Sequence, residues 1–138
     1  MTSAERPLVR ALVDTSVWIS AEVGRDIESD RLPQEAVVCV ITVAELQAGV
    51  LAAADSVSRS RRLDTLHVAM DTEVLPVDIA AAQVWAELRV RLRESDRRVN
   101  VNDLWIAAIA ISNNLPVVTQ DDDFDALSEL GALDVIKV

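Results

Sequence analysis

Carboxylates are the side chains in this sequence best placed to do chemistry. Asp14 directly follows a short apolar run, and Glu45 comes soon after a β-branched run. Asp103 lies at the start of an apolar stretch, and three consecutive aspartates, Asp121–Asp123, follow another apolar run. Oxygen ligands without His or Cys suit Mg²⁺ or Mn²⁺ and do not suit zinc. The pattern therefore suggests a metal site built from carboxylates.

Few other side chains in the sequence could catalyse a reaction. His67 is the only histidine and there is no tyrosine, which excludes a paired-imidazole mechanism within one chain. The position of His67 among helix-forming residues favours an ordinary surface or partly buried histidine. Cys39, the only cysteine, lies in an apolar run, where a packed thiol is commoner than a nucleophile. No glycine-rich phosphate-binding loop is present.

Length and composition predict one domain over residues 1–138. The sequence is 51% hydrophobic but only 3% aromatic, so its core must consist mostly of Ala, Val, Leu and Ile. Three glycines and four prolines are too few for the many turns of an all-β sandwich. No apolar run approaches the roughly 18 residues of a membrane span, and Asp14 interrupts any export signal. With a single cysteine, these features predict a cytoplasmic protein without a membrane anchor.

The net charge of −10 is unfavourable for a nucleic-acid-binding protein, because phosphates are attracted to positive fields. The excess of acid could simply keep the protein in solution. Alternatively, some carboxylates are metal ligands, and divalent cations would offset their charge. The charge alone does not distinguish these explanations.

Short apolar runs alternate with longer helix-forming stretches along the chain. This alternation predicts an α/β fold with a mainly parallel sheet, in which ligands bind beyond the carboxyl ends of the strands. The predicted strands are 8–13, 37–41, 74–77, 115–119 and 133–138, and the predicted helices are 17–23, 44–54, 56–70, 79–92, 102–113 and 124–130. Residues 25–35 are predicted to form a loop, and Asp78 is predicted to cap the fourth helix.

Each acidic position also has a purely structural explanation. Asp14 could cap a helix, and Thr42–Glu45 matches a capping box. Asp103 could be an anion in a first helical turn with Asn102 as the cap, and Asp121–Asp123 could form an ordinary turn. The case for function rests on the conjunction of the four.

Four segments together resemble the PIN domain and, more narrowly, the VapC-type toxins of bacterial toxin–antitoxin pairs. The resemblance covers nearly the whole chain, with the segments in order and at the expected intervals. The segments are Asp14-Thr15-Ser16, Thr42-Val43-Ala44-Glu45-Leu46 with Gly49, Asn102-Asp103-Leu104-Trp105-Ile106-Ala107-Ala108, and Pro116-Val117-Val118-Thr119-Gln120-Asp121-Asp122-Asp123-Phe124.

This resemblance implies a PIN-like fold, a central mainly parallel sheet flanked by helices on both faces, and a defined set of site residues. The implied catalytic acids and metal ligands are Asp14, Glu45, Asp103 and Asp121, with Asp123 as a further ligand and Ser16 and Thr119 in support. Because three aspartates are consecutive, the fourth acid could also be Asp122 or Asp123.

The resemblance further implies an Mg²⁺- or Mn²⁺-dependent endoribonuclease that inhibits translation. Its implied partners are a cognate VapB-type antitoxin, an RNA substrate and a second copy of the chain. Relatives with the same acids differ in their RNA, so the sequence does not identify the substrate.

RNA would need positive surface near the acids. Two arginine groups are candidates, and a solvated helix face is the alternative for both. The groups are Arg89, Arg91, Arg93, Arg97 and Arg98, and Arg59, Arg61 and Arg62. The first group leads into Asp103, so Arg93, Arg97 and Arg98 are the predicted RNA contacts. The three tryptophans lie in apolar patterns that favour packing over base stacking.

Two competing functions stay open at this point. In the first, the chain is a non-catalytic acidic domain that binds a protein, and its acids are helix caps. In the second, Asp14 carries an aspartyl-phosphate in phosphotransfer. Ser16 stands where that chemistry would place a partner acid, which disfavours the second.

Overall fold

The computed structural model describes residues 8–138 as five strands and six helices, with one helix or a pair of helices between successive strands. Residues 1–7 of the predicted domain lie outside the described part. The strands are β1 (Arg10–Val13), β2 (Glu35–Cys39), β3 (Glu73–Leu75), β4 (Val117–Thr119) and β5 (Val135–Lys137). The helices are α1 (Thr15–Val23), α2 (Val40–Leu51), α3 (Ser56–Met70), α4 (Ile79–Glu94), α5 (Val101–Ser112) and α6 (Asp125–Glu129).

The strands form one parallel sheet in the order β3-β2-β1-β4-β5. Chain direction therefore brings the carboxyl ends of all five strands to one edge. From β1 the chain continues to β2 and β3 on one side, and it then crosses to β4 and β5 on the other side. The switch point between β1 and β4 opens a crevice for ligands. The residues that follow β1 and β4 meet at that crevice.

Both faces of the sheet are covered by helices, because alternate strand residues point to opposite sides and nearly all are apolar. Leu12 and Val37 pack on one side with residues of α4, α5 and α6. On the other side, Val38 packs with α2 and α3, and Val13 packs with α1. The predicted PIN-like α/β architecture is confirmed.

The boundary between β2 and α2 differs from the prediction. Val40 and Ile41 were expected to end the strand because they are β-branched, but they form the first turn of α2. The strand ends at Cys39, whose extended backbone precedes the helix. Packing therefore overrides local β propensity at this point, and Glu45 lies in the second helical turn instead of the first.

Other local features agree more closely with the sequence. The Asp78 carboxylate accepts a hydrogen bond of 2.9 Å from the Ala81 amide, which is the predicted cap of α4. The predicted loop before β2 contains one short 3-10 turn, Ser29–Arg31. Cys39 is buried and His67 is exposed, as the sequence suggested. No helix within residues 8–138 has the length and apolar character needed to cross a bilayer.

Candidate active site

The predicted acids line a single cavity of about 290 Å³ at the carboxyl edge of the sheet. Asp14 and Asp121 follow the adjacent strands β1 and β4, Glu45 projects from α2, and Asp103 projects from the first turn of α5. The cavity is lined by Asp14, Thr15, Ser16, Ile19, Glu45, Asn100, Asp103, Asp121 and Asp123. Four separate segments thus contribute carboxylates to one small volume.

Asp14 is the most deeply placed of these acids, with 3% of its surface exposed. Its Oδ2 accepts hydrogen bonds from Ser16 Oγ at 2.7 Å and from Thr119 Oγ1 at 2.8 Å. Burial raises the pKa of Asp14, while the bonds from Ser16 and Thr119 oppose that rise and the nearby Asp121 charge adds to it. Both hydroxyls hold the same carboxylate oxygen, which leaves Oδ1 for a ligand.

Helix capping does not account for Asp14 or Glu45. Asp14 stands at the cap position of α1, but its side chain accepts no hydrogen bond from the amides of that helix. The capping box proposed for Thr42–Glu45 is wrong, because α2 begins at Val40 and Cys39 occupies the cap position. The cap of α5 is Asn100 and not Asn102, while Asp103 does lie in the first turn.

Thr15, which lies between Asp14 and Ser16, also lines the cavity, although the sequence did not point to a role for it. Its buried hydroxyl donates to Glu45 Oε1 at 2.8 Å and lies 3.1 Å from Thr42 Oγ1. This contact joins α1 to α2 and fixes the direction of the Glu45 side chain. The signal available in the sequence was a pair of hydroxyl residues directly after Asp14, with Thr119 two positions before Asp121.

Replacing Thr15 with Val is expected to reduce the RNA cleavage that the resemblance implies about tenfold with little change in fold, because the isosteric side chain cannot hold Glu45. Thr15→Ser keeps the hydroxyl and should retain most activity. For both variants, the cleavage rate would be measured as a function of metal concentration, and thermal unfolding would be measured separately. Equal losses in Val and Ser variants would contradict a role for the hydroxyl.

The loop after β4 is folded so that alternate aspartates face the cavity. Thr119 Oγ1 lies 3.2 Å from Asp121 Oδ1, and the same oxygen accepts the Asp123 amide at 3.1 Å. Asp122 instead forms an ion pair with Lys137 of β5, as does Asp125 at 2.9 Å. The pairing with Lys137, which the sequence did not reveal, turns Asp122 away from the acid cavity.

Gln120 ties this loop to the rest of the fold. Its Oε1 accepts from the buried Ser20 of α1 at 2.9 Å, and its Nε2 donates to the carbonyls of Asp26 and Val138. Its backbone amide donates to Ser16 Oγ at 3.0 Å, behind Asp14. Gln120 is therefore a positioning residue that sequence reasoning also missed, since a glutamine between two motif residues carries no distinctive signal.

Mutual repulsion and burial disturb the ionisation of the cavity acids. Burial raises the pKa of Asp103 to about 7, with further increases from the charges of Asp14, Asp123, Asp121 and Glu45. The pKa of Asp123 is also raised, by burial and by Asp121. Strongly perturbed carboxylates gathered in a cleft are typical of functional sites.

The chemistry of these donors fits a hard divalent cation, because all of them are carboxylate or hydroxyl oxygens. As the side chains stand, no three of His, Cys, Asp or Glu within residues 8–138 are placed so that together they could hold a metal ion. Like charges keep carboxylates apart, and a cation would offset that repulsion. The cavity therefore fits a divalent cation in the type of its donor atoms and in its negative charge.

The predicted RNA-contacting arginines lie next to this cavity. A neighbouring depression of about 430 Å³ is lined by both Arg97 and Arg98 and by Asp103, while Arg93 lines a further one beyond it. The tryptophans pack as the sequence favoured, with Trp85 stacked on Trp105 at 5.0 Å and Trp18 donating to the Val13 carbonyl.

Comparison with known proteins places this chain in one family. The PIN domain model matches residues 11–130. Ribonuclease VapC5 of Mycobacterium tuberculosis is 51% identical over 127 residues, which cover 92% of this chain and 94% of the relative. Ribonuclease VapC4 of the same organism is 39% identical, covering 91% of this chain and 97% of that protein.

A solved structure agrees with these relatives. The crystal structure of VapBC-5, a toxin–antitoxin system of M. tuberculosis, contains a chain that superimposes with a TM-score of 0.87 at 48% identity. The superposition covers 94% of this chain and 99% of that one. The chain belongs to the PIN-domain family, among the VapC ribonucleases.

Proposed function

We propose that this chain is an endoribonuclease of the VapC type, the toxin of a toxin–antitoxin pair, and that it inhibits translation by hydrolysing RNA phosphodiesters. The observation that carries the proposal is the convergence of carboxylates from four segments on one cavity. A phosphodiester is unreactive unless its negative charge is offset and a water is activated beside it. The relatives named as ribonucleases support RNA as the substrate.

The proposed ligands of Mg²⁺ or Mn²⁺ are Asp14, Glu45, Asp103, Asp121 and Asp123. A cation held there supplies a water of lowered pKa and offsets charge on the phosphate oxygens. The chain itself orients the ligands: Ser16 and Thr119 hold one oxygen of Asp14, and Thr15 holds one oxygen of Glu45. Asp103, whose pKa is raised to about 7, would have to lose its proton to serve as a ligand.

The proposed partners are a VapB-type antitoxin and a second copy of the chain. The VapBC-5 structure, a toxin–antitoxin system by its name, supports an antitoxin partner for this chain. An arginine of such a partner would match the clustered carboxylates, since a guanidinium binds carboxylates in a bidentate manner. The proposal places the protein in the cytoplasm, where its one cysteine, Cys39, stays reduced.

The test is cleavage of a total RNA pool by the purified chain with Mg²⁺ or Mn²⁺. Discrete fragments with 5′-phosphates and 3′-hydroxyls are expected, because a metal-activated water needs no 2′-hydroxyl nucleophile. EDTA should reduce cleavage more than about 100-fold, and excess Mg²⁺ should restore it. Fragments ending in 2′,3′-cyclic phosphates, or cleavage that survives EDTA, would overturn the mechanism. Intact RNA in the presence of folded, metal-loaded protein would count against the activity on that pool.

A further inference from the structure

Positive charge is concentrated in one depression close to the acid cavity, although the chain as a whole carries −10. This depression, of about 430 Å³, lies where α4 ends and the loop toward α5 begins. Four arginines and a single carboxylate, Asp96, line it; the arginines are Arg89, Arg93, Arg97 and Arg98. A polyanion repelled by the carboxylates would find its nearest compensating charge here.

The arginine depression is continuous with the acid cavity. A middle depression, also of about 430 Å³, shares Arg97 and Arg98 with the arginine depression. It shares Asn100, Asp103 and Asp123 with the acid cavity. The three depressions thus form one track across the surface, with carboxylates at one end and guanidinium groups at the other.

The arginines of this region are not equally free to bind a ligand. Arg97 forms an ion pair of 2.6 Å with Glu129, and Arg91 donates to the Leu130 carbonyl at 2.7 Å. The Arg89 guanidinium lies over the ring of Trp85, 5.4 Å from its centre. Arg93 and Arg98 are exposed and have neither an ion pair nor a side-chain hydrogen bond within the described part of the chain.

We propose that Arg93 and Arg98 bind neighbouring phosphates of the RNA strand on one side of the bond that is cut, while Arg91 and Arg97 are structural. This inference rests on the proposed function and narrows the three RNA contacts predicted from the sequence to two, because Arg97 is held by Glu129. Arg98, on the wall shared with the middle depression, is the one nearer the acids along the track. Arg93 follows in the arginine depression.

The test compares two double variants that remove the same charge. Arg93→Gln/Arg98→Gln alters the track, and Arg59→Gln/Arg61→Gln alters exposed arginines of α3. Both would be made in an Asp14→Asn background, so that binding is measured without cleavage. The probe is a labelled single-stranded oligoribonucleotide of mixed sequence, and its Kd is measured by anisotropy at several KCl concentrations with Mg²⁺ present.

The track variant is expected to bind at least tenfold more weakly at low salt. The slope of log Kd against log salt should fall by roughly 1.4, because each phosphate contact on a single strand contributes about 0.7. The α3 variant should change the slope by less than half as much. Equal effects of the two variants would overturn the proposal in favour of general charge.

An unchanged RNA affinity in the track variant would also overturn the proposal. If, in addition, an acidic peptide lost affinity for that variant, the track would be assigned to a protein ligand. If RNA binding depends on Arg93 and Arg98 but the parent chain never cleaves RNA, the proposed nuclease activity is wrong and the proposed phosphate contacts still hold. If the parent chain cleaves RNA but its RNA binding does not depend on Arg93 and Arg98, only the proposed phosphate contacts are wrong.

Discussion

Asp14→Asn is expected to reduce RNA cleavage by more than about 100-fold while leaving the fold intact. The substitution keeps the shape of the side chain and an oxygen for Ser16 Oγ and Thr119 Oγ1, which lie 2.7 Å and 2.8 Å from Asp14 Oδ2. It removes the negative charge and the second oxygen that a divalent cation requires. Asp64→Asn, on the exposed surface of α3, is the matched control and should cleave normally.

The same variant should unfold at a higher temperature than the parent near neutral pH without added metal. Burial raises the pKa of Asp14, so ionising it costs more in the folded chain than in the unfolded one. That cost is absent at low pH, where both forms are protonated, and it develops as pH rises past the ordinary carboxyl range. The two proteins should therefore converge in Tm as pH falls. A variant that is less stable at every pH would show that the Asp14 charge supports the fold.

Asp103→Asn has the second large expected effect, which is a change in how metal binding depends on pH. With a pKa of about 7, Asp103 is protonated through the mildly acidic range and must lose that proton to bind a cation. As the pH increases toward 7, the loss of this one proton should raise the Mn²⁺ affinity of the parent by up to about tenfold for each pH unit. Asp103→Asn should bind Mn²⁺ more weakly, with a pH dependence shallower by one proton.

Calorimetric titration of Mn²⁺ in buffers of different ionisation enthalpy would count the protons released. At pH 6.5 the parent should release roughly one more proton for each bound Mn²⁺ than Asp103→Asn does. The difference is smaller by the fraction of Asp103 that is already ionised at that pH. Without metal, the variant should gain about 2 kcal/mol of stability at pH 8, and the gain should vanish toward pH 4. This direction follows because a raised carboxyl pKa makes folding less favourable as pH increases through it. Identical proton release in both proteins would exclude Asp103 as the titrating ligand.

The sequence predicted which acids lie at the site, but it did not predict the side-chain contacts around those acids. Asp14 and Asp121 could be placed at one sheet edge because short apolar runs, each followed by an acid, define parallel strands with a common direction. Asp103 was placed by the opening of an apolar helix. These inferences need only periodicity and chain direction, which are local properties of the sequence.

Contacts between distant side chains could not be predicted in this way. The Thr15–Glu45 bond depends on how α2 packs against α1, and the Lys137–Asp122 pair depends on β5 lying beside β4. The start of α2 at Val40 was missed because β-branched residues favour strands when tertiary packing is unknown. The placement of Asp122 outside the acid cavity likewise depends on its pairing with Lys137.

The central place of β1 in the sheet has a consequence for biosynthesis. Its neighbour β4 comes more than 100 residues later, and the Thr119 hydroxyl that holds Asp14 is separated from it by 105 positions. A nascent chain interrupted before Thr119 therefore lacks the strand, the hydroxyl and the aspartates that complete the site. We therefore expect prematurely terminated products, which carry Asp14 and Glu45 but lack β4, to be inactive against RNA.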